Sequence, residues 1–259
     1  MNTWTKPTEE QLIEWKQAEE ERRKNAITTF QAARGAFVDH YMAKAGIARH
    51  ELTAAWDQVP GPIKQVLPDS WCFGIVGGFG IGKTCAVSAR LRRQADKAVD
   101  ALMALMIEKA DTSELKRCAE EGDLHRSPGF VWVNWPEAIA ENRPKLFNCG
   151  GEVESWIMDD LLDAGRLVVL DDIGAEPVTA QDWAGQLLAR VVDERLRRQG
   201  PTVWTSNLDA KGLVHRYGPR TWSRLQALAP LIQLPKQLPD LRLQPRRAAI
   251  GNIDQSEVS

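Results

Sequence analysis

The sequence predicts an α/β protein in which a parallel β-sheet lies between helices. Short apolar runs rich in β-forming residues alternate with longer helical stretches, which is typical of a parallel sheet. The runs are continuously apolar, as expected for strands that are buried on both faces. A glycine-rich run, GGFGIGKT, directly follows the first of them. The candidate strands are 71–76, 129–135, 166–172, 201–207 and 230–234.

Composition limits the class of protein. A chain of 259 residues can form one sizeable domain, or one domain with a small appendage. No apolar run reaches the roughly 18 residues that span a bilayer, and the N-terminus lacks the apolar stretch of a secretory signal. The four cysteines show no CxxC spacing, which favours reduced thiols over disulfides or a metal site. We therefore expect a cytoplasmic protein that does not contact a membrane.

The N-terminal part is predicted to be helical from residue 8 to about residue 57. Thr8 and Gln11 have the spacing of a capping box, and the run PGP at 60–62 breaks the helical pattern. We place a boundary there. The predicted divisions are a helical N-terminal segment (1–60), the sheet domain (61–247) and a flexible tail (248–259).

The interval before the second candidate strand is unusually long. About 45 residues separate it from Thr84, whereas a crossover between parallel strands needs only about a dozen. The interval is predicted to contain a helix over about 83–109 and then a charged stretch. We infer an insertion at about 95–128.

The glycine-rich run fits the Walker A pattern G-x-x-x-x-G-K-[ST] and predicts a P-loop that binds ATP. Its glycines allow the backbone N–H groups to turn inward toward phosphate oxygens, and the following helix directs its positive end at the same anion. Lys83 is expected to reach the β- and γ-phosphates, and the Thr84 hydroxyl to bind Mg²⁺. The candidate nucleotide-binding residues are Gly77, Gly78, Phe79, Gly80, Ile81, Gly82, Lys83, Thr84 and Cys85.

Two further strand ends carry polar residues. Asp171 ends an apolar run and is expected to present its carboxylate to the magnesium ion, and Asp172 to orient an attacking water. Asn207 ends the fourth candidate strand. Because ligands of parallel sheets bind at the carboxyl ends of the strands, Asn207 is expected to contact the γ-phosphate or that water. The alternative interpretation of both ends is an ordinary solvated turn.

The C-terminal part is basic. Between residues 211 and 247, eight Lys or Arg stand against one acid, which suggests an anionic partner or a neighbouring acidic surface. Arg220 and Arg224 lie in this stretch. A guanidinium near the γ-phosphate accelerates transfer by about 10³ to 10⁵, or about 4–7 kcal/mol. We expect one of the two arginines to act as such a finger on a neighbouring subunit; the alternative is that both only add positive charge.

Taken in order, GGFGIGKT, LVVLDDIGAE (167–176), VWTSNL (203–208) and RTWSRL (220–225) resemble the AAA+ ATPases of the DnaC/DnaI helicase-loader family, with the IstB transposition ATPases as close relatives. The resemblance covers roughly residues 70–245. It implies a P-loop NTPase of the AAA+ (ASCE) type with a five-stranded parallel sheet and a reduced or absent lid domain.

The same resemblance implies ATP at the interfaces of a homo-oligomer, with Asn207 as sensor and Arg224, or less directly Arg220, as arginine finger. It also implies binding of single-stranded DNA, and of a replicative DNA helicase through the N-terminal segment. Asp172 stands where many AAA+ proteins have glutamate, which suggests slow, switch-like hydrolysis. The insertion is longer than the family pattern, and the N-terminal segment lacks the cysteine cluster that some relatives carry.

Three functions are therefore compared. The first is a helicase loader or replication accessory ATPase. The second is a transposition helper acting on duplex DNA with a transposase, although residues 1–24 hold five basic against six acidic residues, where that family begins with a basic segment. The third is a P-loop kinase of a small molecule, against which the TSN strand end and the late RTWSRL motif argue.

Overall fold

The computed structural model describes residues 8–48, 52, 54–108, 129–148, 156–178, 182–235 and 238–241. Residues 109–128 of the predicted insertion and the predicted tail at 248–259 lie outside the described residues. The described helices are α1 (Glu9–Lys44), the 3₁₀ turn Trp56–Gln58, α2 (Gly61–Val66), α3 (Lys83–Glu108), α4 (Trp135–Asn148), α5 (Trp156–Leu162), α6 (Trp183–Arg198) and α7 (Ala210–Leu228). The described strands are β1 (Phe73–Val76), β2 (Phe130–Asn134), β3 (Leu167–Asp171), β4 (Thr202–Ser206) and β5 (Leu231–Gln233).

The strands form one parallel sheet in the order β2-β3-β4-β1-β5. The prediction of a five-stranded parallel sheet between helices, with a helical N-terminus, is confirmed. Strand β1, which precedes the glycine-rich loop, lies between β4 and β5. The polar ends of β3 and β4 therefore lie beside that loop, at the carboxyl edge of the sheet.

Each face of the sheet has its own hydrophobic core. Phe73 and Ile75 of β1 pack with buried residues of α1 and α3, whereas Val168 and Leu170 of β3 pack with buried residues of α6 and α7. Successive side chains of a strand point to opposite faces, so a strand covered by helices on both sides has to be apolar at every position. This explains the continuous apolar runs in the sequence.

Helix α1 joins the sheet domain through its second half. The predicted Thr8–Gln11 capping box is present, and Phe30, Phe37 and Val38 are fully buried in the core that also holds residues of α3. The helix ends at Lys44, earlier than the predicted residue 57. Gly46, at φ 94°, follows this end and its N–H donates to the carbonyl of Ala43. The predicted domain boundaries remain predictions.

An arginine fixes the sheet edge opposite the glycine-rich loop. Arg195 of α6 is only 1% exposed, and its guanidinium donates to the Thr202 hydroxyl and to the carbonyls of Leu161, Asp163, Arg166 and Pro201. Burial lowers the pKa of Arg195 to about 10, so the group stays charged at neutral pH. It ties α6 to the segments that precede β3 and β4.

Among the described helices, none is long and apolar enough to cross a membrane.

Candidate nucleotide-binding site

The glycine-rich loop connects the end of β1 to the first turn of α3. Gly80 and Gly82 adopt φ values of 71° and 93°, a left-handed conformation that favours glycine. Between them, the Ile81 side chain is buried and anchors the loop in the core, while Phe79 is 70% exposed. The loop thus has the sharp turns and the helix N-terminus that a phosphate cradle requires.

Lys83 links this loop to the ends of the neighbouring strands. Its side-chain nitrogen donates to the carbonyls of Gly77 and Gly78 at 3.0 and 2.8 Å and to Asn207 Oδ1 at 2.6 Å. The Asn207 amide nitrogen in turn donates to the Asp172 carboxylate. The structure therefore brings together three residues that the sequence assigned to one site.

Thr84 and Asp171 form the second contact between the loop and the sheet. Thr84 Oγ1 lies 3.1 and 3.2 Å from the two carboxylate oxygens of Asp171. Thr205 donates to Asp171 Oδ1 at 2.6 Å, and its hydroxyl oxygen accepts from the Asp172 N–H at 2.9 Å. A hydroxyl and a carboxylate thus converge below the loop.

Asp171 is 4% exposed. Burial, the largest cause, raises the pKa of Asp171 to about 6; the hydrogen bonds from Thr205 and Thr84 oppose this shift, the nearby Asp172 carboxylate adds to it, and the Lys83 charge opposes it. A cation bound at this carboxylate would favour its charged form.

These oxygen donors fit magnesium, which binds through one or two carboxylates together with phosphate oxygens. Within the part of the chain that the structure describes, no group of three or more His, Cys, Asp or Glu side chains could hold a metal ion. Phosphate oxygens of a nucleoside triphosphate could complete the ligands of an ion held between Thr84 and Asp171.

The turn after β3 is held against β4. Asp172 has φ 60°, a left-handed conformation that aspartate tolerates better than most residues. The Ile173 N–H donates to the Thr205 carbonyl at 2.9 Å, and the Ser206 hydroxyl donates to the Ile173 carbonyl at 2.6 Å. The two strand ends form one connected unit, so the side chains of Asp172 and Asn207 are positioned together.

A buried network that the sequence did not assign lies directly behind this turn. The Glu176 carboxylate accepts from the Gly174 N–H at 2.8 Å, the Tyr217 hydroxyl at 2.6 Å and Arg216 at 2.9 Å. Burial, with the Glu176 charge, raises the pKa of Tyr217 far above its usual value. Glu176 ends the DDIGAE motif, and this position in the motif was the only signal in the sequence. The network attaches the turn after β3 to α7.

Helix α7 carries the two candidate finger arginines. Arg224 forms an ion pair with Asp193 of α6 in the same chain, and Arg220 is exposed. Among the described contacts, neither arginine touches Lys83 or Asp171. Arg216 is also paired, with Glu176 and Asp182, so part of the basic C-terminal stretch is neutralised within the chain. Lys236 and residues 242–247 of that stretch lie outside the described residues.

The segment after β5 covers the glycine-rich loop. The Leu241 N–H donates to the Gly80 carbonyl at 2.8 Å, and the Asp240 carboxylate occupies the space that a side chain at Gly80 would need. A side chain at Gly82 would lie 2.7 Å from Leu241 Cδ1. Backbone conformation favours glycine at both positions, and a side chain at either would also displace Asp240 or Leu241.

No protein-family model matches the chain, and no curated protein matches it. Its fold is similar to those of solved helicase-loader structures. The DnaC helicase loader structure is 17% identical, with a TM-score of 0.46, over 73% of this chain and 100% of that one. The DnaI structure is 20% identical, with a TM-score of 0.46, over 76% and 94%. A primosome component from Streptococcus pyogenes serotype M3 is 16% identical, with a TM-score of 0.45, over 76% and 95%.

Proposed function

We propose that the chain is a magnesium-dependent ATPase of the AAA+ type that serves as a replicative helicase loader in the cytoplasm. The observation that carries the ATPase part is the convergence of Thr84 Oγ1 and the Asp171 carboxylate below a glycine-rich loop. Lys83 and Asn207 meet at the same edge of the sheet. A hydroxyl, a buried carboxylate and an ammonium group so arranged suit a triphosphate with its metal.

Each side chain then has a separate role. Backbone N–H groups of the loop and the Lys83 ammonium would hold phosphate oxygens, and Thr84 with Asp171 would hold magnesium, which supplies positive charge to the phosphates. Asp172 would accept a proton from, or orient, the attacking water. Asn207 would keep Asp172 in place and report the γ-phosphate, because its amide already bridges Lys83 and Asp172.

The helicase-loader proposal specifies an oligomer, a nucleic-acid ligand and a contact with the helicase. We propose a homo-oligomer with ATP at its subunit interfaces, Arg224 or Arg220 as the finger of the neighbouring subunit, and single-stranded DNA as a ligand. The first half of α1 is the proposed helicase contact. It exposes three large apolar side chains, Leu12, Ile13 and Trp15, at 42%, 57% and 57%. Exposed apolar residues grouped on one segment are typical of protein-binding surfaces.

The experiment is a titration of purified protein with ATP and magnesium, followed by calorimetry. We expect Lys83→Ala to weaken binding about 10- to 100-fold, because it removes charge-assisted hydrogen bonds to phosphate. Lys16→Ala, at an exposed position on α1, is the control and should bind as the wild type does. Unchanged affinity in Lys83→Ala would refute the site. Hydrolysis stimulated by duplex rather than single-stranded DNA would instead favour the transposition helper.

A further inference from the structure

Apart from the nucleotide-binding site, a cavity of about 350 Å³ opens between the 3₁₀ turn, the segment after α2 and the middle of α3. Two tryptophans and four cations contribute to its lining: Trp56, Lys64, Trp71, Arg90, Arg93 and Lys97. Its size lies within the range of small-molecule sites. None of these residues belongs to the nucleotide-binding loop or to the strand ends described above.

The cavity lies beside the start of β1 and the middle of α3, away from the glycine-rich loop. Trp71 precedes β1, whereas the loop follows it, and a strand of this length spans about 13 Å. Along α3, Arg90 and Lys97 come 7 and 14 residues after Lys83, which corresponds to about 10 and 21 Å. A ligand in the cavity would therefore not share the phosphate cradle.

The lining is strongly positive. Its four cations stand against one acid, Asp69, in a chain whose net charge is −2. Other charged residues of α3 are paired: Arg92 with Asp39, and Asp96 with Arg34. By contrast, Arg93 and Lys97 form no ion pair within the described residues. Their exposed charges attract an anion to the cavity.

The two tryptophans differ in their surroundings. The Arg90 guanidinium lies 4.2 Å from the centre of the Trp71 ring and donates to the carbonyls of Pro68, Asp69 and Ser70, so this pair forms a fixed wall. The Trp56 ring has Arg93 at 5.3 Å and Lys64 at 5.8 Å, and both side chains are long and rotatable. A cation–π contact between exposed side chains is weak, so a ligand with an aromatic ring can displace it.

We propose that this cavity binds a nucleotide unit, with the base stacked on Trp56 and the phosphate held by Arg93 and Lys97. Stacking on an indole beside cations is how proteins bind single-stranded nucleic acid with little sequence preference. The unit comes from a single strand or from a free nucleotide. The proposal does not depend on ATP binding at the glycine-rich loop.

The test uses the full chain and a fluorescein-labelled oligothymidylate, with binding followed by anisotropy over a range of salt concentrations. Arg93→Glu with Lys97→Glu should weaken binding at least about tenfold at low salt. Because both cations are assigned to one phosphate, the magnitude of the slope of log affinity against log salt should fall by about 0.7. Lys16→Glu with Lys24→Glu, exposed on α1, changes the net charge equally and should bind as the wild type does.

Stacking is tested separately by Trp56→Leu and Trp56→Phe, with thermal melting to confirm folding. We expect Leu to weaken binding about tenfold and Phe to restore part of it. Calorimetry with thymidine monophosphate distinguishes a free nucleotide from a nucleic-acid strand as the ligand. Heat of binding in the wild type that is lost in the Arg93/Lys97 variant would indicate a site for a free nucleotide. Binding of the oligonucleotide but not of the monophosphate would indicate a site for a strand.

No oligonucleotide or nucleotide binding by the wild type would overturn the proposal. Equal binding by the Arg93/Lys97 variant, or an equal loss in the Lys16/Lys24 control, would also overturn it. The Arg93/Lys97 variant should keep wild-type affinity for ATP with magnesium. Absence of ATP binding by the wild type would refute the proposed ATPase instead and leave the cavity unaffected.

Discussion

Asp171 couples the candidate metal site to pH. The pKa of its buried carboxyl, raised to about 6, means that the folded chain holds this proton more tightly than the unfolded chain, whose value is 3.8. Stability therefore decreases as the pH rises from about 4 to about 6 and stays lower above that range. A magnesium ion competes with the proton for the same oxygens, so metal binding should weaken as the pH falls through about 6.

Asp171→Asn tests this effect of pH on stability. Without nucleotide or magnesium, we expect the variant to be more stable than the wild type by roughly 1–3 kcal/mol at pH 7.5, because it no longer buries a charge. The gain should vanish near pH 4, where the wild-type carboxyl is protonated. Urea unfolding at both pH values measures the difference. Asp159→Asn, at an exposed site, is the control. A variant that is destabilised equally at both pH values would contradict this account.

The site also shows which residues sequence motifs can predict and which contacts they cannot. The motifs identified Lys83, Thr84, Asp171, Asp172 and Asn207, and the structure brings these residues together. The motifs did not give the pairing of Lys83 with Asn207, which lies 124 positions away, because residue types do not specify hydrogen-bond partners.

The supporting residues were harder to find. Thr205 in β4 and Glu176 after β3 act through contacts that exist only once β3, β4 and α7 are packed.

The arginine-finger proposal depends on helix α7. Gly218, at φ 79°, and Pro219 interrupt it, and Arg220 and Arg224 both follow this kink. The Glu176 network holds the part before the kink. The ion pair of Arg224 with Asp193 holds the part after it. One Asp193 oxygen is buried without a hydrogen-bond partner among the described residues, so removal of Arg224 would leave this carboxylate poorly satisfied.

A comparison of three alanine variants separates the finger from the ion pair. If Arg224 acts on a neighbouring subunit, Arg224→Ala should keep ATP binding and lose DNA-stimulated hydrolysis by about 10³-fold or more. Asp193→Ala breaks the same ion pair but keeps the arginine, so it should retain hydrolysis. Loss of hydrolysis only in Arg220→Ala would assign the finger to Arg220. Steady-state hydrolysis and thermal melting measure these effects, and full activity in both arginine variants would exclude a finger at either position.

The strands were easier to predict from the sequence than the end of helix α1. All five strands occur within the predicted runs. For β1, β3 and β4, which are buried at every position, the reason is that burial on two faces requires apolar residues that the sequence displays directly. The end of α1 was misjudged by about 13 residues. Gly46 ends it through a left-handed turn, whereas the later Pro60 was the more conspicuous breaker. A single glycine within an amphipathic pattern is a weak signal, since it is also tolerated inside helices.

At the scale of the whole molecule, α1 has two halves with different roles in packing. The sequence suggested a separate N-terminal segment over 1–60, because it gives the helical pattern but not the face against which a helix packs. In the structure, Phe30, Phe37, Val38 and Met42 are at most 1% exposed and share one core with α3 and β1. Arg34 also pairs with Asp96 and Asp100. The half before residue 25 is almost entirely exposed.

Two N-terminal deletions separate these roles. Deletion of residues 1–24 removes only the exposed half, so the melting temperature should change by a few degrees at most and ATP binding should remain, while capture of the proposed helicase is lost. Deletion of residues 1–48 removes Ala45, Ile47 and the four buried side chains of α1, and each of those four is worth about 1.5–3 kcal/mol. That sum, roughly 6–12 kcal/mol, is comparable to the whole stability of a typical domain, about 5–15 kcal/mol.

We therefore expect the longer deletion to lose cooperative unfolding, measured by circular dichroism and calorimetry. If it instead melted as the full chain does and bound ATP, the buried half of α1 would be dispensable and residues 1–60 would form an independent unit. If the shorter deletion unfolded, the exposed half would contribute stability that its surface does not account for. The two proteins thus decide whether the sheet domain begins near residue 61 or within α1, at about residue 30.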